Sequence, residues 1–269
     1  MSAQEITKEL TFITPALLAG ADQNKPEIRA PSIRGALRWW FRVLSTEDAK
    51  TVWELESRLF GSVHHKPVLA SPIVIRVAEM SSVLPTEKVT NGVAIKSETS
   101  FTLQIVARRA VEDDLWERLT RAVVAFSRLG ALGRRATRRS GLVAAQKGEC
   151  PTEREFREWA HGLRRFGLSV FLGTPQANAS VTLKGLRKSA LRKNAAEAWK
   201  IFGRIPSSGR GGGPAQTRQA SPLRLGRARF SDRDEDLPLL FYTDKTAPTT
   251  QLWDFVRREL LDNKDFEEL

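Results

Sequence analysis

Apolar and polar positions divide the first half of the chain into short elements. Lys8–Ile13 reads as a short strand, and Phe101–Arg108 alternates as a half-buried strand does. Ile73–Val77 is a β-branched run opened by Pro72, a residue tolerated at a strand's start. Asp113–Leu129 sets Leu115, Leu119, Ala122, Val123 and Phe126 at helical spacing. A helix is predicted over Arg34–Leu44 with Ser32 as its N-cap, and another over Val52–Phe60 closed by Gly61. Thr14–Ala30 and Ser82–Glu98 read as loops, and a glycine-rich loop, Gly130–Gly141, precedes the apolar run Leu142–Ala145. The order strand, helix, strand, strand, helix, strand is that of a ferredoxin-like α+β fold. The same sheet supports the RNA-recognition motif, although a fold alone does not define a function.

Cys150-Pro151 marks a boundary, giving two expected domains, 1–150 and 151–269. The second opens with an extra helix, Thr152–Phe166, followed by a weak strand at Val181–Leu183 and a helix over Ala190–Phe202. Arg204–Ala220 reads as a loop, Leu223–Phe230 and Leu237–Tyr242 as strands, and Thr249–Leu261 as a helix. No closing strand is evident, so the second ferredoxin-like copy reads as incomplete. A local match supports duplication: Leu59-Phe60-Gly61 then Ala70-Ser71-Pro72-Ile73, against Ile201-Phe202-Gly203 then Ala220-Ser221-Pro222-Leu223.

Composition narrows the function. With 41% hydrophobic and 28% charged residues over 269 positions, the chain can build a sizeable core. It has no run long enough to span a membrane and no secretory leader pattern, and its single cysteine, Cys150, cannot form an intrachain disulfide. A cytoplasmic location is therefore expected. The net charge of +12 favours a polyanionic partner, nucleic acid ahead of lipid. The charge is clustered. Arg121, Arg128, Arg134, Arg135, Arg138, Arg139 and Lys147 follow one another with no acid between, and Lys184–Arg229 holds Glu197 as its one acid. Beyond Phe230 acids predominate, a tail suited to a basic partner or to shielding part of the chain.

Three segments carry candidate chemistry. Arg34, Arg38 and Arg42 form a four-residue stripe on the first helix, opposite Ile33, Leu37 and Trp40. That spacing suits a solvated face and a phosphate-binding face equally. In the loop, Gly130, Gly133 and Gly141 allow close backbone approach to phosphate, and Arg134, Arg135, Arg138 and Arg139 supply charge. A mobile basic linker is the plainer alternative. The pattern is neither a Walker loop nor a dinucleotide fingerprint, and no cofactor is expected. The third segment, Ser207–Arg218, sets Arg210 and Arg218 around a glycine run that is disordered or orders on RNA. Trp39 is expected in the core. Catalytic and metal sets are weak. His64 and His65 suit a capped turn, His161 suits a surface, and Glu112–Asp114 and Asp232–Asp236 lack metal-loop spacing. Ser140 lacks a nucleophile-elbow pattern.

These residues resemble a known family. Phe12-Ile13-Thr14-Pro15, Gly20-Ala21 and Pro31-Ser32-Ile33-Arg34-Gly35-Ala36-Leu37-Arg38-Trp39-Trp40-Phe41-Arg42 are similar to the N-terminal signature of the first-numbered RAMP subunit of type III-B CRISPR (Cmr) effectors. The Gly130–Gly141 loop resembles the glycine-rich loop of RAMP proteins generally. The resemblance is strongest over residues 10–80 and 100–145. It implies two tandem ferredoxin-like RAMP domains and a non-catalytic role in antiviral defence. Such a subunit holds CRISPR guide RNA and target RNA near the guide's 3′ end, among other subunits of the Cmr complex. Cutting is then the task of a different subunit. Two other readings stand beside it. A transcript-processing endoribonuclease would use His64 or His65, and an architectural subunit would bind proteins and touch RNA little.

Overall fold

The computed structural model describes residues 4–22, 24–64, 68–79, 84–90, 92–179, 182, 223–243, 254, 257–260, 262 and 265–269. Strands β1 (Glu5–Phe12), β2 (Ile73–Glu79), β5 (Thr99–Ala107) and β6 (Val143–Ala145) form one antiparallel sheet in the order β2-β5-β1-β6. The register pairs Leu10 with Phe101, Phe12 with Val143, and Ile75 with Ile105. It thereby gathers Leu10, Phe12, Ile73, Ile75, Phe101, Leu103 and Ile105 on one buried face. The opposite face is polar. There the Thr11 and Ser100 hydroxyls lie 2.9 Å apart and Gln104 donates to Glu5 at 2.8 Å.

Helices α1 (Ala30–Val43), α2 (Ala49–Phe60) and α3 (Asp113–Leu129) belong to this unit. The expected Ser32 cap is not the start of α1, which begins at Ala30 after Arg29, with Pro31 in its first turn. A proline there is pre-organised for helix and lacks an amide that would go unpaired. Asp48 caps α2 by accepting from the amides of Lys50 (2.9 Å) and Thr51 (3.1 Å). The expected loop Ser82–Glu98 contains a hairpin, β3 (Thr86–Val89) and β4 (Gly92–Ile95). Ile95 exchanges two backbone hydrogen bonds of 2.9 Å with Ala16, which ties the hairpin to the Thr14–Leu18 segment.

The second unit begins with α4 (Glu153–Gly162), closed at its start by a reciprocal capping box between Thr152 and Glu155. A 3₁₀ turn, Leu163–Phe166, leads into β7 (Leu168–Gly173). With β8 (Arg224–Ala228), β9 (Leu237–Thr243) and β10 (Phe266–Glu268) it forms a second antiparallel sheet, β10-β7-β9-β8. Both sheets place their first, second, third and fourth strands in the order 4-1-3-2, the ferredoxin-like arrangement. Two expectations change. The first strand lies at Leu168–Gly173, while Thr182, in the expected Val181–Leu183 strand, is helical. The closing strand expected to be missing is β10, paired to β7 through Phe266–Gly173 and Glu268–Phe171. Residues 257–260 are helical, as expected within Thr249–Leu261, whereas the expected helix Ala190–Phe202 lies outside the described residues.

The two units share one continuous apolar core. Pairing of Val170 with Phe241, and of Phe241 with Arg224, sets these residues on one face of the second sheet. Phe241 stacks on Trp40 of α1 at 5.9 Å between ring centroids, so α1 lies between the sheets. Burial of each of these rings contributes roughly 2–3 kcal/mol. The Cys150-Pro151 boundary is packed: both residues are buried, and Ser231 donates its amide to the Pro151 carbonyl at 3.0 Å.

Candidate nucleic-acid interface

The Gly130–Gly141 loop is built onto the segment after β1. Arg134 donates its amide to the Leu17 carbonyl (2.8 Å), Gly141 to Pro15 (2.9 Å), and Leu132 to Gly141 (2.8 Å). Ser140 Oγ donates to the Pro15 carbonyl at 3.0 Å, and Leu142 donates to Thr14 Oγ1 at 2.9 Å. Gly130 donates to Phe126 and so closes α3. Gly133 and Gly141 have φ of +88° and +64°, and a β-carbon on them would sit 2.4 Å from Leu17 O and 2.1 Å from Leu132 O. Only glycine fits both places. The mobile-linker alternative therefore does not describe this loop, which is held at both ends and in its middle.

Its arginines differ in setting. Arg134, Arg135 and Arg138 are exposed, and Arg139 is half-buried. Arg134 and Arg138 make no ion pair among the described residues. Arg135 and Arg139 have φ of +63° and +67°, a region that disfavours side chains with a β-carbon. At the loop's far side Leu225 of β8 donates its amide to Thr137 O at 3.3 Å, and Arg138 bridges Leu225 in parallel. The loop of the first unit thus borders the sheet of the second.

The remaining bases of the Arg121–Lys147 run bond to protein. Arg121 pairs with Glu117 (2.9 Å) and lies over Phe166, Arg128 lies 4.7 Å from the Trp159 ring, and Lys147 pairs with Asp234 (2.6 Å). The acidic tail likewise meets bases of this same chain. Asp236 pairs with Arg229 at 3.0 Å, Glu267 with Arg157, and Glu268 with Arg257 at 2.6 Å.

The α1 stripe has protein partners too. Arg34 donates to the Phe60 carbonyl (3.0 Å), the last residue of α2, and to Ser71 Oγ (3.3 Å). A cation at a helix C-terminus is favourable. The Ser71 hydroxyl is 2.9 Å from the Leu59 carbonyl, so the Phe-Gly and Ala-Ser-Pro strings pack on each other. Burial, then the charge of Arg38, lowers the Arg34 pKa from its usual value. Arg38 and Arg42 both donate to Glu56 Oε1 of α2, at 2.5 and 2.8 Å. The Glu56 side chain is 3% exposed, while those of Arg38 and Arg42 are 36% and 48% exposed. One edge of the stripe holds α2 in place and the other faces water.

Two arginines that the sequence did not single out stand out here. Arg224 lies with its guanidinium carbon 3.8 Å from the centroid of the half-buried Trp39 ring, and burial depresses its pKa to about 10. Arg227 follows on the same strand. The Nε atoms of both are shut off from solvent and lack a hydrogen-bond partner. Neither arginine has an acidic partner among the described residues. Their signal in the sequence was a polar residue on each side of a Leu-Gly pair within a strand, easily read as ordinary alternation.

Arg210 and Arg218 lie outside the described residues, as does His65. His64 is exposed on the turn after α2, and His161 is exposed near the end of α4. Burial pushes the Cys150 thiol up to about 11, and Sγ donates to Ala145 O at 3.2 Å. Among the described residues no group of three or more His, Cys, Asp or Glu side chains could hold a metal ion, and no helix is long and apolar enough to cross a membrane.

Paired ferredoxin-like sheets with an arginine-bearing glycine loop between them define a recognisable class of protein. The RAMP superfamily model matches residues 9–144, and the chain belongs to that superfamily. Two curated relatives come from Pyrococcus furiosus. CRISPR system Cmr subunit Cmr1-2 is 37% identical over 62 residues, covering 22% of this chain and 33% of that protein. CRISPR system Cmr subunit Cmr1-1 is 40% identical over 79 residues, covering 28% of this chain and 22% of that protein. The matched segments thus span a third or less of these relatives. The crystal structure of apo Cmr1 from Pyrococcus furiosus superposes with a TM-score of 0.61 at 18% identity, covering 100% of this chain and 98% of that one. That likeness extends the shared fold through the second unit.

Proposed function

We propose that this chain is a non-catalytic RNA-binding subunit of a type III-B CRISPR effector of the Cmr kind. In this reading it holds guide RNA and its paired target near the guide's 3′ end, and other subunits of the complex cut. One observation carries the RNA-binding part: an anchored loop presents Arg134 and Arg138 without acidic partners among the described residues, while neighbouring bases are engaged by protein. Guanidinium groups fork two donors onto a phosphate, and a fixed loop presents them with little ordering to be done on binding. The polar outer face of the first sheet carries Thr7, Ser100, Thr102 and Gln104 and no aromatic ring among them. Contacts are therefore expected to go to phosphate more than to stacked bases. The relatives named as Cmr subunits support the place in the complex, and the family resemblance supports the guide-end position.

The test is binding of the purified chain to labelled single-stranded RNA, with the RNA then examined on a gel. Expected is intact RNA and an affinity that Arg134→Gln/Arg138→Gln weakens. Absence of binding at low salt, or a discrete cut lost in His64→Ala, contradicts the proposal.

A further inference from the structure

The first sheet ends in an edge whose backbone groups are unused. Arg108 donates its amide to the Pro72 carbonyl at 2.8 Å, while Ala107 donates the other way, to the Gln4 carbonyl at 2.9 Å. Successive residues of an antiparallel strand turn their backbone groups to alternate sides. With Val74 opposite Val106 and Arg76 opposite Gln104, the even-numbered residues of β2 bond to β5 and the odd-numbered ones point outward. Ile73 spends its outward amide on Ser71 Oγ, at 3.3 Å. The amides and carbonyls of Ile75 and Val77 have no hydrogen-bond partner among the described residues. The other edges of the two four-stranded sheets are short or bridged: β6 and β10 have three residues each, and Arg138 of the glycine loop bridges β8 at Leu225. β2 has seven, and a long edge of this kind is a template for a further strand.

Exposed arginines border this edge. Arg76 lies on the outer face of the sheet, and Arg108 and Arg109 follow β5 beside the start of β2. None of the three makes an ion pair among the described residues. Arg76 acts on Glu5 through space alone: hydrogen bonds from Gln104 and Thr7 come first in lowering the Glu5 pKa, and Arg76 adds to them. We propose that the β2 edge receives an extended, acid-bearing segment of a partner subunit, which pairs with Ile75 and Val77 through its backbone and with Arg76, Arg108 and Arg109 through its side chains. The inference rests on the reading of this chain as a subunit of a multi-protein effector, and it names the surface that docks. RNA phosphates would meet the arginines but have no match for outward amides and carbonyls repeating every second residue, which an extended peptide fits. A second copy of this chain would bring a basic edge against a basic edge.

The test compares the parent with Val77→Pro, Val77→Ala, Arg76→Glu and Arg108→Glu/Arg109→Glu. Proline removes the outward amide at a position where an edge strand tolerates it, and alanine controls for the lost packing. Each is assayed for incorporation into the complex with the other effector subunits, for melting temperature and for RNA binding. Amide hydrogen exchange is followed in the free chain and in the complex. The Ile75 and Val77 amides should exchange rapidly in the free chain and about a hundredfold more slowly in the complex. Val77→Pro and Arg108→Glu/Arg109→Glu should each weaken incorporation about tenfold, and Val77→Pro should melt with Val77→Ala. Assembly of the parent without protection of these amides overturns the inference and leaves the proposed function standing. Failure of the parent to assemble overturns both. Protection in the free chain that grows with its concentration assigns the edge to a second copy and overturns the partner. Weakened RNA binding in Arg76→Glu and Arg108→Glu/Arg109→Glu, with incorporation unchanged, gives the arginines to RNA and overturns the acidic segment. A melting temperature for Val77→Pro well below that of Val77→Ala shows the amide bonded within the chain and overturns the open edge.

Discussion

At the scale of single residues, the candidate interface depends on backbone geometry as much as on charge. Gly133→Ala and Gly141→Ala would each place a β-carbon against a carbonyl oxygen at positive φ. Each should cost about 2 kcal/mol or more in a denaturant melt and weaken RNA binding although no charge is removed. Wild-type stability in both variants would mean that the loop has another conformation. The glycines and arginines of this loop were legible as a phosphate-binding composition. Their anchoring was not, because it comes from backbone carbonyls of Pro15 and Leu17, more than a hundred residues earlier. The approach of β8 to the loop was illegible for a related reason: only the fold brings Leu225 to Thr137 and Arg138.

At the scale of elements, the α1 arginines show how a spacing can have two meanings. The four-residue repeat of Arg34, Arg38 and Arg42 was visible, but Glu56, which two of them share, lies on another helix. Removing both arginines in Arg38→Ala/Arg42→Ala leaves a buried carboxylate unpaired. It should cost roughly 3 kcal/mol, more than the 1–2 kcal/mol expected for Glu56→Gln, whose freed arginines reach water. Equal losses in thermal melts would contradict this. The helices and β1, β2 and β5 were readable because one face of each is buried and the other is wet. β7 was not, since Leu168 and Val170–Leu172 are all buried and a strand covered on both sides does not alternate. β10 has three residues, two of them acidic, and becomes a strand only through its pairing with β7.

At the scale of the molecule, charge joins the two units as well as inviting a partner. Arg229 donates to Glu98 at 2.8 and 3.0 Å and to Asp236 at 3.0 Å, which ties the β4–β5 turn to the second sheet. Those hydrogen bonds hold the Glu98 carboxyl below its usual 4.5, against the opposing effect of burial. A carboxyl depressed in the folded state stabilises the fold above its unfolded pKa and loses that contribution as pH falls through its folded one. Glu98→Gln should therefore melt lower than the parent at pH 7 and show a shallower loss of stability between about pH 5 and pH 3. Identical pH profiles would remove Glu98 from the account of the junction.

The central claim is that RNA phosphates meet the anchored arginine loop. The most direct measurement is the slope of log affinity against log salt for single-stranded RNA, in the parent and in Arg134→Gln/Arg138→Gln. Loss of two phosphate contacts should reduce the slope by about 1.4, with melting temperatures unchanged. Equal slopes in the two proteins would place the RNA elsewhere and contradict the claim.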